Sequence, residues 1–600
     1  MARPPLANLF AVYDPDPAAR EALRLDLQGS GEFAEVWCPA PGWVAASAPL
    51  PGGEPDGRAV REQGLAFAEG RDRLEEGFRH TLDERFREIA ELADLKPERL
   101  ASLPGDFGFI RFRPAGGATV VRSCGGLVPF YLWQSGKRLA ISTQLGNFVR
   151  YLPEEPRLNP LVNATWASGW DLFPDRQTPL QGVSILGRGC FAQVEAGRPI
   201  TWGRYWQPRP ERLTPPTPAR VQEHAERLRT LLIEKLERDL DPKGGNLLTL
   251  SGGVDSSSLA ALAAGVVGRK VWTWSLLPSH EEAFRHEMSY IEPLARRYGF
   301  ERRWEVFWYP GLYEDLLRQA PRIVFYVLHP ALCSLPGILR EAPVRVLFGG
   351  EYGDEVCGSA KTVSDWAAST SLFQLLTEPQ TWFRHPRYIA RWVKHRLAWW
   401  RGYPLHPSPK DLLDRDPITR KPVDFFHPEL RQEYRGWWDR VRQEMVRDPL
   451  PWACLWADSH EASGFVTMNW EACSALGVRR SFPFFTREVF ELVFTCHPME
   501  LYGPGVKKLL RAALKEDVPA RNLWRPDKGA REPMALSRQR PLPGPLPEEL
   551  EQVLSPRWLS NPPRMLGSWQ YGCLLHLIRF IENLRARRKE RDAVPRTRIQ

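Results

Sequence analysis

The run Ser-Gly-Gly-Val-Asp-Ser-Ser at residues 251–257 constrains the fold of this chain more than any other segment. It follows the apolar stretch 246–250, which predicts a buried strand, and it precedes the Ala/Leu-rich stretch 258–264, which predicts a helix. Glycines in such a turn allow an anion to approach closely, and the N–H groups and dipole of the following helix point toward it. The run lacks the Gly-Lys-Ser/Thr ending of a Walker loop. We therefore predict a phosphate-binding loop that is not a Walker loop. The alternative is a glycine turn that only caps the helix.

Further segments at residues 270–276, 302–307 and 344–348 predict strands, and helical stretches such as 290–297 separate them. This alternation is typical of a doubly wound parallel sheet. Ligands of such sheets bind beside the carboxyl ends of the strands. We therefore expect the loops that follow the predicted strands to meet at one functional edge.

An acidic turn follows the last of these strands and reads Gly-Gly-Glu-Tyr-Gly-Asp-Glu at residues 349–355. We expect Asp354 to lie near Asp255, because both residues follow strands of the same sheet. Two such carboxylates can hold a magnesium ion between phosphate oxygens. Taken alone, residues 349–355 are more typical of a solvated acidic turn, so this hypothesis depends on their pairing with residues 251–257.

Composition and charge exclude few classes of protein. A chain of 600 residues is long enough for two or more domains, and 26% charged and 43% hydrophobic residues are typical of a soluble protein. We find neither a signal peptide nor an apolar run long enough to span a membrane, and we expect a cytoplasmic location. The nine scattered cysteines include no Cys-x-x-Cys pair, which predicts neither a disulfide framework nor a structural zinc site. The net charge of +9 suits an acidic ligand such as ATP.

Two further blocks complete a resemblance to a known family. Residues 477–485 read Gly-Val-Arg-Arg-Ser-Phe-Pro-Phe-Phe, and Lys-Leu-Leu-Arg at 508–511 is followed by Val-Pro at 518–519 and Arg-Pro-Asp-Lys at 525–528. Together with the two glycine-rich runs, and in this order, the blocks resemble the synthetase domain of the asparagine synthetase superfamily.

The N-terminal part carries a second set of matching segments. Residues 105–110 read Gly-Asp-Phe-Gly-Phe-Ile, residues 125–132 read Gly-Gly-Leu-Val-Pro-Phe-Tyr-Leu, and residues 139–143 read Leu-Ala-Ile-Ser-Thr. They resemble the glutaminase-like domain of the same superfamily.

The resemblance implies a mixed α/β and α+β architecture. Residues 1–206 are expected to form a degenerate glutaminase-like domain of layered sheets, of the Ntn-hydrolase type. Residues 207–219 are a Pro-rich linker. Residues 220–600 are expected to form an ATP-pyrophosphatase domain with a doubly wound parallel sheet, similar to adenine nucleotide alpha hydrolases. Within it, residues 360–450 are rich in Trp and Arg and are expected to be helical.

The resemblance also implies roles for individual residues, with ATP and Mg²⁺ as cofactors. Asp255 and Asp354 are the expected metal ligands. Lys508 and Lys528 are candidates for stabilising charge on phosphorus and on the reacting carbonyl. Glu471 is a candidate base, although a glutamate on a helix surface is the more ordinary interpretation. The residues expected to bind ATP and pyrophosphate are Leu250, Ser251, Gly252, Gly253, Asp255, Ser256, Ser257, Ser275, Gly350 and Glu351.

Departures from the family pattern narrow the expected function. Glutamine-using members need a cysteine at position two, whereas this sequence begins Met1-Ala2 and its first cysteine is Cys38. We therefore expect no glutamine hydrolysis by the usual mechanism, and an amine that the substrate itself brings. In the Gly-Val block, Arg479 stands where the family has a glutamate, which argues against a β-lactam synthetase.

Three functions remain open. The first is that of the lasso peptide cyclase branch, which uses ATP to close a macrolactam ring in a leaderless core peptide, with a leader-binding protein and a leader peptidase as partners. The second is small-molecule amide synthesis, either by an ammonia-dependent asparagine synthetase or by a β-lactam synthetase-like ligase. The third is a nucleic-acid enzyme. We expect no nucleic-acid partner, because no RNA-binding module is recognisable.

Overall fold

A computed structural model describes the following residues of the chain: 6–49, 65–70, 100–101, 106–113, 116–152, 154, 157–167, 176–207, 217–307, 330–358, 389–390, 392–394, 396–397, 427–447, 466, 469–474, 476–501, 507–525, 546–560 and 568–593. All statements about structure refer to these residues.

The N-terminal part is built from two antiparallel sheets. The strands are β1 (Leu6–Tyr13), β2 (Glu35–Trp37), β3 (Trp43–Pro49), β4 (Leu65–Gly70), β5 (Asp106–Arg113), β6 (Gly117–Arg122), β7 (Tyr131–Ser135), β8 (Arg138–Ser142), β9 (Val183–Ile185), β10 (Cys190–Glu195) and β11 (Arg198–Arg204). One sheet has the strand order β2-β3-β1-β8-β7-β9 and the other has the order β11-β10-β6-β5-β4.

The two sheets share a hydrophobic core. Alternate side chains of β1 and β8, such as Leu9 and Ile141, belong to the same buried cluster as Ile110 of β5 and Val120 of β6. The opposite face of β1 carries Phe10, which packs on the helix that follows β8. This alternation is what two packed sheets with covered outer faces require. The helices of this part are α1 (Pro17–Gly29), α2 (Gly146–Tyr151) and α3 (Pro160–Ala167).

The C-terminal part contains a five-stranded parallel sheet. Its strands are β12 (Asn246–Thr249), β13 (Val271–Leu277), β14 (Arg303–Phe307), β15 (Val346–Gly349) and β16 (Arg479–Ser481). The strand order is β14-β13-β12-β15-β16, and every neighbouring pair is parallel. The direction of strand addition therefore reverses between β12 and β15, at the place where α/β sheets bind ligands. The predicted parallel sheet is confirmed, with strand boundaries shifted by one or two residues.

Helices surround this sheet and connect it to the N-terminal part. They are α4 (Pro218–Asp239), α5 (Val254–Ala260), α6 (Glu281–Tyr298), α7 (Pro330–Glu341), α8 (Gly353–Val356), α9 (Pro428–Arg447), α10 (Arg487–Thr495), α11 (Pro498–Leu501), α12 (Lys508–Ala513), α13 (Ala520–Leu523), α14 (Pro556–Ser560) and α15 (Ser568–Ala593), with a π-helical turn at Ala261–Val266 and a 3-10 turn at Glu548–Gln552.

The long helix α4 illustrates how the sequence sets these elements. Thr217 caps its first turn by accepting a hydrogen bond from Arg220 N, and Pro218 fits the first helical position. Leu228, Leu232 and other apolar residues at helical spacing form its buried stripe. The helix therefore lies against the core and delivers the chain to β12.

Contacts between the N-terminal and C-terminal parts are aromatic and polar. Trp470 packs into the core between the two antiparallel sheets. The Trp206 indole donates to Glu491 Oε1 at 2.9 Å, and the buried Arg188 guanidinium lies 4.2 Å from the ring centre of Phe490. Such buried contacts hold the two parts together.

Several predicted segments lie wholly or partly outside the described residues. They include residues 208–216 of the linker and most of the Trp/Arg-rich part at 360–450. Trp392 and Trp437 of that part are described, and both are buried, as expected for aromatic residues that pack in helices. Among the described helices, none combines the length and the apolar character needed to cross a membrane.

The polar anchor at the start of β12 generates a test of the fold. Asn246 is fully buried; its Oδ1 accepts from Asp241 N at 2.7 Å, and its Nδ2 donates to Asp241 O at 2.8 Å and Lys270 O at 3.1 Å. We expect Asn246→Ala to lower the free energy of unfolding by about 2–3 kcal/mol, because it leaves buried backbone groups without partners. Urea denaturation measures the change. The exposed Gln222→Ala is the control and should stay within about 0.5 kcal/mol of the parent; equal effects of the two would contradict the anchoring role.

Candidate active site at the carboxyl edge of the parallel sheet

The loop between β12 and α5 has the geometry of an anion site. Gly252 adopts a left-handed φ of 68°. Gly253 is the N-cap residue of α5, so no side chain accepts hydrogen bonds from the first N–H groups of the helix at this position. The Ser256 hydroxyl accepts from Ser251 N at 3.2 Å and lies 3.3 Å from the carbonyl of Gly253. These contacts fold the loop back over the helix N-terminus, where N–H groups attract an anion.

Two residues from the C-terminal segment hold this loop in place. The fully buried Asn522 donates its Nδ2 to Gly252 O at 3.1 Å and to Tyr290 O at 2.8 Å. Arg525 donates one nitrogen to Ser251 O at 3.0 Å and another to the buried Glu287 at 2.7 Å. The local sequence around Asn522 and Glu287 does not indicate these contacts, because their partners lie more than 230 residues away.

The two predicted metal-binding carboxylates converge on one ammonium group. Lys507 Nζ contacts Asp255 Oδ2 and lies 2.7 Å from Asp354 Oδ1. Asp255 lies in the first turn of α5 and Asp354 in α8, so the sheet reversal between β12 and β15 brings them together. Lys507 itself is buried and has a left-handed φ of 55° just before α12.

Electrostatics keep this lysine charged. Burial alone would lower the pKa of Lys507, but the carboxylates of Asp255 and Asp354 outweigh it, so the pKa is raised above its ordinary value. The stability that Lys507 contributes is therefore fully present at neutral pH and is lost only as pH rises through this raised pKa. Burial lowers the pKa of the nearby Arg511 guanidinium, and the negative charge of Asp255 partly offsets this decrease.

Glycines allow the two turns to interlock. A Cβ atom on Gly350 would lie 2.8 Å from Ser256 N, and one on Gly353 would lie 2.6 Å from the carboxylate carbon of Asp255. Any larger residue would push the acidic turn away from the loop after β12. The two glycines therefore allow the acidic turn to contact Asp255 and Ser256 directly.

The other residues predicted for the nucleotide site lie in or beside these two turns. Ser275 of β13 donates its hydroxyl to Leu250 O at 2.8 Å, which supports the start of the loop. Glu351 accepts from Arg480 Nη2 at 2.6 Å, so it ties the acidic turn to β16. Ser257 is buried beneath the loop.

Lys508 and Glu471, two of the candidate catalytic residues, have surroundings that the local sequence does not indicate. Lys508 Nζ donates to Met499 O at 3.3 Å, and the lysine on the two carboxylates is its neighbour Lys507. Glu471 is buried and accepts a hydrogen bond of 2.6 Å from Tyr131 OH of the N-terminal part, so the interpretation of Glu471 as a surface residue is wrong. Lys528 lies outside the described residues. Arg479 is the first residue of β16 and is paired with Val346, at the amino end of the sheet.

Comparison with known protein families identifies the family to which this chain belongs. A protein-family model described as asparagine synthase matches residues 227–579, which is more than half of the chain. The chain belongs to the asparagine synthase family. As a member, it is an ATP-dependent amide ligase. No curated protein matches the sequence significantly.

Solved structures resemble this asparagine synthase family member only distantly. Glutamine phosphoribosylpyrophosphate amidotransferase from B. subtilis is 9% identical over 50% of this chain and 90% of that chain, with a TM-score of 0.22. A structure described as the allosteric regulatory enzyme of purine biosynthesis is 11% identical over 51% of this chain and 81% of that chain, with a TM-score of 0.23. A U34-tRNA thiolase from Methanococcus maripaludis is 14% identical over 42% and 80% respectively, with a TM-score of 0.18. Scores this low support no argument.

The left-handed glycine of the loop generates a paired test. A Cβ on Gly252 would lie 2.8 Å from Tyr290 Cβ, whereas Gly268 has the same φ of 68° with open space around it. Both Gly→Ala variants add about 1–2 kcal/mol of backbone strain, but only Gly252→Ala displaces the loop. We expect Gly252→Ala to weaken ATP binding, measured by isothermal titration calorimetry, by about a hundredfold. Equal losses in both variants would contradict a positional role of the loop.

The two adjacent lysines generate a second test. We expect Lys507→Gln to lower the turnover of ATP by about 10²–10³-fold, because a positioned cation at the phosphates is lost. Lys508→Gln is the matched control and should retain most of the turnover, since its ammonium points to a carbonyl. A larger loss for Lys508→Gln would contradict the assignment of Lys507.

Proposed function

We propose that this asparagine synthase family member is a lasso peptide cyclase. It activates an Asp or Glu side chain of a leaderless core peptide with ATP and joins it to the N-terminal amine of the same peptide. The observation that carries the adenylation step is the convergence of Asp255, Asp354 and Lys507 beside the helix-capping loop 251–257.

The proposed reaction consists of two displacements. A side-chain carboxylate oxygen of the peptide attacks the α-phosphorus of ATP, and the bond to pyrophosphate breaks. The neutral N-terminal amine then attacks the activated carbonyl carbon, AMP leaves, and the amine gives up its proton. The net products are the lactam, AMP and pyrophosphate, since the carboxylate oxygen departs with AMP.

The residues of the site are suited to this chemistry. We propose that N–H groups of the loop and the hydroxyls of Ser251 and Ser256, which lie 3.2 Å apart, bind the departing pyrophosphate. Lys507 stays protonated and can stabilise negative charge that develops on the phosphate oxygens. Lys528 is proposed for a related role at the reacting carbonyl.

Asp255 and Asp354 fit a magnesium ion. Their carboxylates already meet at a single cationic point, and hard oxygen ligands are what Mg²⁺ prefers. A bound ion would neutralise phosphate charge.

A peptide substrate is supported by departures from the small-molecule pattern. Arg479 stands where the family has a glutamate in the Gly-Val block, and Ser481 stands where it has an arginine. The Ser481 hydroxyl donates a hydrogen bond to Asp239. The neutral amine needs a base, for which Glu471 is proposed with Tyr131 as its partner.

We further propose that the N-terminal sheets are an Ntn-hydrolase-type domain and that the parallel sheet is an adenine nucleotide alpha hydrolase-like domain. We also propose that a leader-binding protein and a leader peptidase supply the peptide in the cytoplasm.

The proposal is tested with the full chain, ATP, Mg²⁺ and a panel of synthetic core peptides that carry a free N-terminal amine and an internal Asp or Glu. We expect mass spectrometry to show a peptide product lighter by one water, with AMP and pyrophosphate formed in equal amounts. Asp255→Ala should abolish the product. Asp517→Ala is the control, because it removes an aspartate that is ion-paired with Arg229 outside the site, and it should retain the activity.

Two results would contradict the proposal at different levels. If free aspartate and ammonia yield asparagine while no peptide is cyclised, the peptide substrate is wrong and small-molecule amide synthesis is correct. If the activated peptide is formed with ADP and phosphate as products, the adenylation step is wrong.

A further inference from the structure

A second cluster of polar side chains lies away from the ATP site. His224 Nδ1 lies 2.7 Å from Glu500 Oε2 and 3.2 Å from Cys496 Sγ. These three atoms all lie within 4.8 Å of one another. His224 is on α4, Glu500 is in α11, and Cys496 lies in the turn between α10 and α11, so two helices and one turn contribute a donor each.

Cys496 and Glu500 are buried and His224 is partly buried, which sets the cluster apart from an ordinary surface group. Glu500 is 0% exposed and Cys496 is 2% exposed. Glu500 Oε1 is held by His497 N at 3.0 Å, and the Arg220 guanidinium lies 4.0 Å from the same oxygen. The carboxylate is thus fixed on one side, and its other oxygen, Oε2, lies 2.7 Å from His224 Nδ1.

The chemistry of the three donors is that of a zinc site. One imidazole, one thiolate and one carboxylate match the ligands that Zn²⁺ takes in proteins, whereas Mg²⁺ and Ca²⁺ prefer oxygen alone. Zinc–ligand bonds of about 2.0–2.3 Å in a tetrahedron place donor atoms roughly 3.3–3.7 Å apart. The present separations of 2.7 and 3.2 Å therefore need to widen by only about half an ångström.

We propose that His224, Cys496 and Glu500 bind one zinc ion that ties α4 to the segment containing α10 and α11. The thiol proton leaves on binding, and water completes the tetrahedron. The scattered cysteines, with no Cys-x-x-Cys pair, predict no structural zinc site, but His224 and Cys496 are 272 residues apart and only the fold brings them together.

The proposed zinc site has a structural consequence for the ATP site. A Cβ on Gly358 would lie 2.8 Å from the carbonyl of Leu501, the last residue of α11. Gly358 follows α8, which carries Asp354. Fixing α11 therefore supports the packing of the turn that presents Asp354, although the zinc proposal does not depend on the proposed function.

The test measures metal content and binding on the full chain. We expect the purified protein to retain one zinc per chain by mass spectrometry of metals after desalting, and Cys496→Ser and His224→Gln to lose it. Cys190→Ser, which alters a buried cysteine between the N-terminal sheets, should keep it. Cobalt(II) added to metal-free protein should give thiolate-to-cobalt charge-transfer absorption, absent in Cys496→Ser.

A measurement without substitutions guards against misfolded variants. Removal of zinc by a chelator should lower the thermal midpoint of the parent protein, and addition of zinc should restore it, because a ligand that binds the folded state stabilises it. A parent protein that neither retains zinc nor shows the cobalt absorption would overturn the proposal and leave a metal-free hydrogen-bonded cluster. So would cobalt absorption that is unchanged in Cys496→Ser.

Discussion

The candidate active site depends on the buried Lys507, whose ammonium pairs with two carboxylates. Lys507 joins carboxylates that come from the loops after two neighbouring strands, β12 and β15. Two carboxylates this close repel each other, and a charged ammonium between them offsets that repulsion. Since Asp255 lies in the first turn of α5 and Asp354 lies in α8, the same contact fixes both turns. The glycines at 350 and 353 allow the turns to come this close.

The rest of the C-terminal part supports this contact from two sides. Asn522 and Arg525 bind the carbonyls of the loop after β12, and Arg480 holds Glu351 of the acidic turn. All three residues follow the sheet strands β12–β15 in sequence by more than a hundred residues. The chain must therefore complete its C-terminal segment before the proposed ATP site is formed, which links that site to the integrity of the whole domain.

Sequence reasoning predicted the elements whose signals are local. The strand–glycine–helix order of residues 246–260, the acidic turn and the parallel sheet all follow from patterns within short windows. The sequence points to Lys508, whereas the ammonium on the two carboxylates belongs to its neighbour Lys507. Lys507 has a left-handed φ just before α12, and only the fold shows which of the two ammonium groups faces the carboxylates. The burial of Glu471 against Tyr131 and the His224 cluster are contacts between distant segments, on which the local pattern carries no information.

The most direct test of the central claim follows an oxygen atom. A core peptide with heavy oxygen in its acceptor carboxylate is incubated with the chain, ATP and Mg²⁺, and the nucleotide products are analysed by mass spectrometry. If the carboxylate attacks the α-phosphorus at the site formed by Asp255, Asp354 and Lys507, the label appears in AMP. Label in inorganic phosphate, or cyclised peptide with unlabelled AMP, would contradict the account.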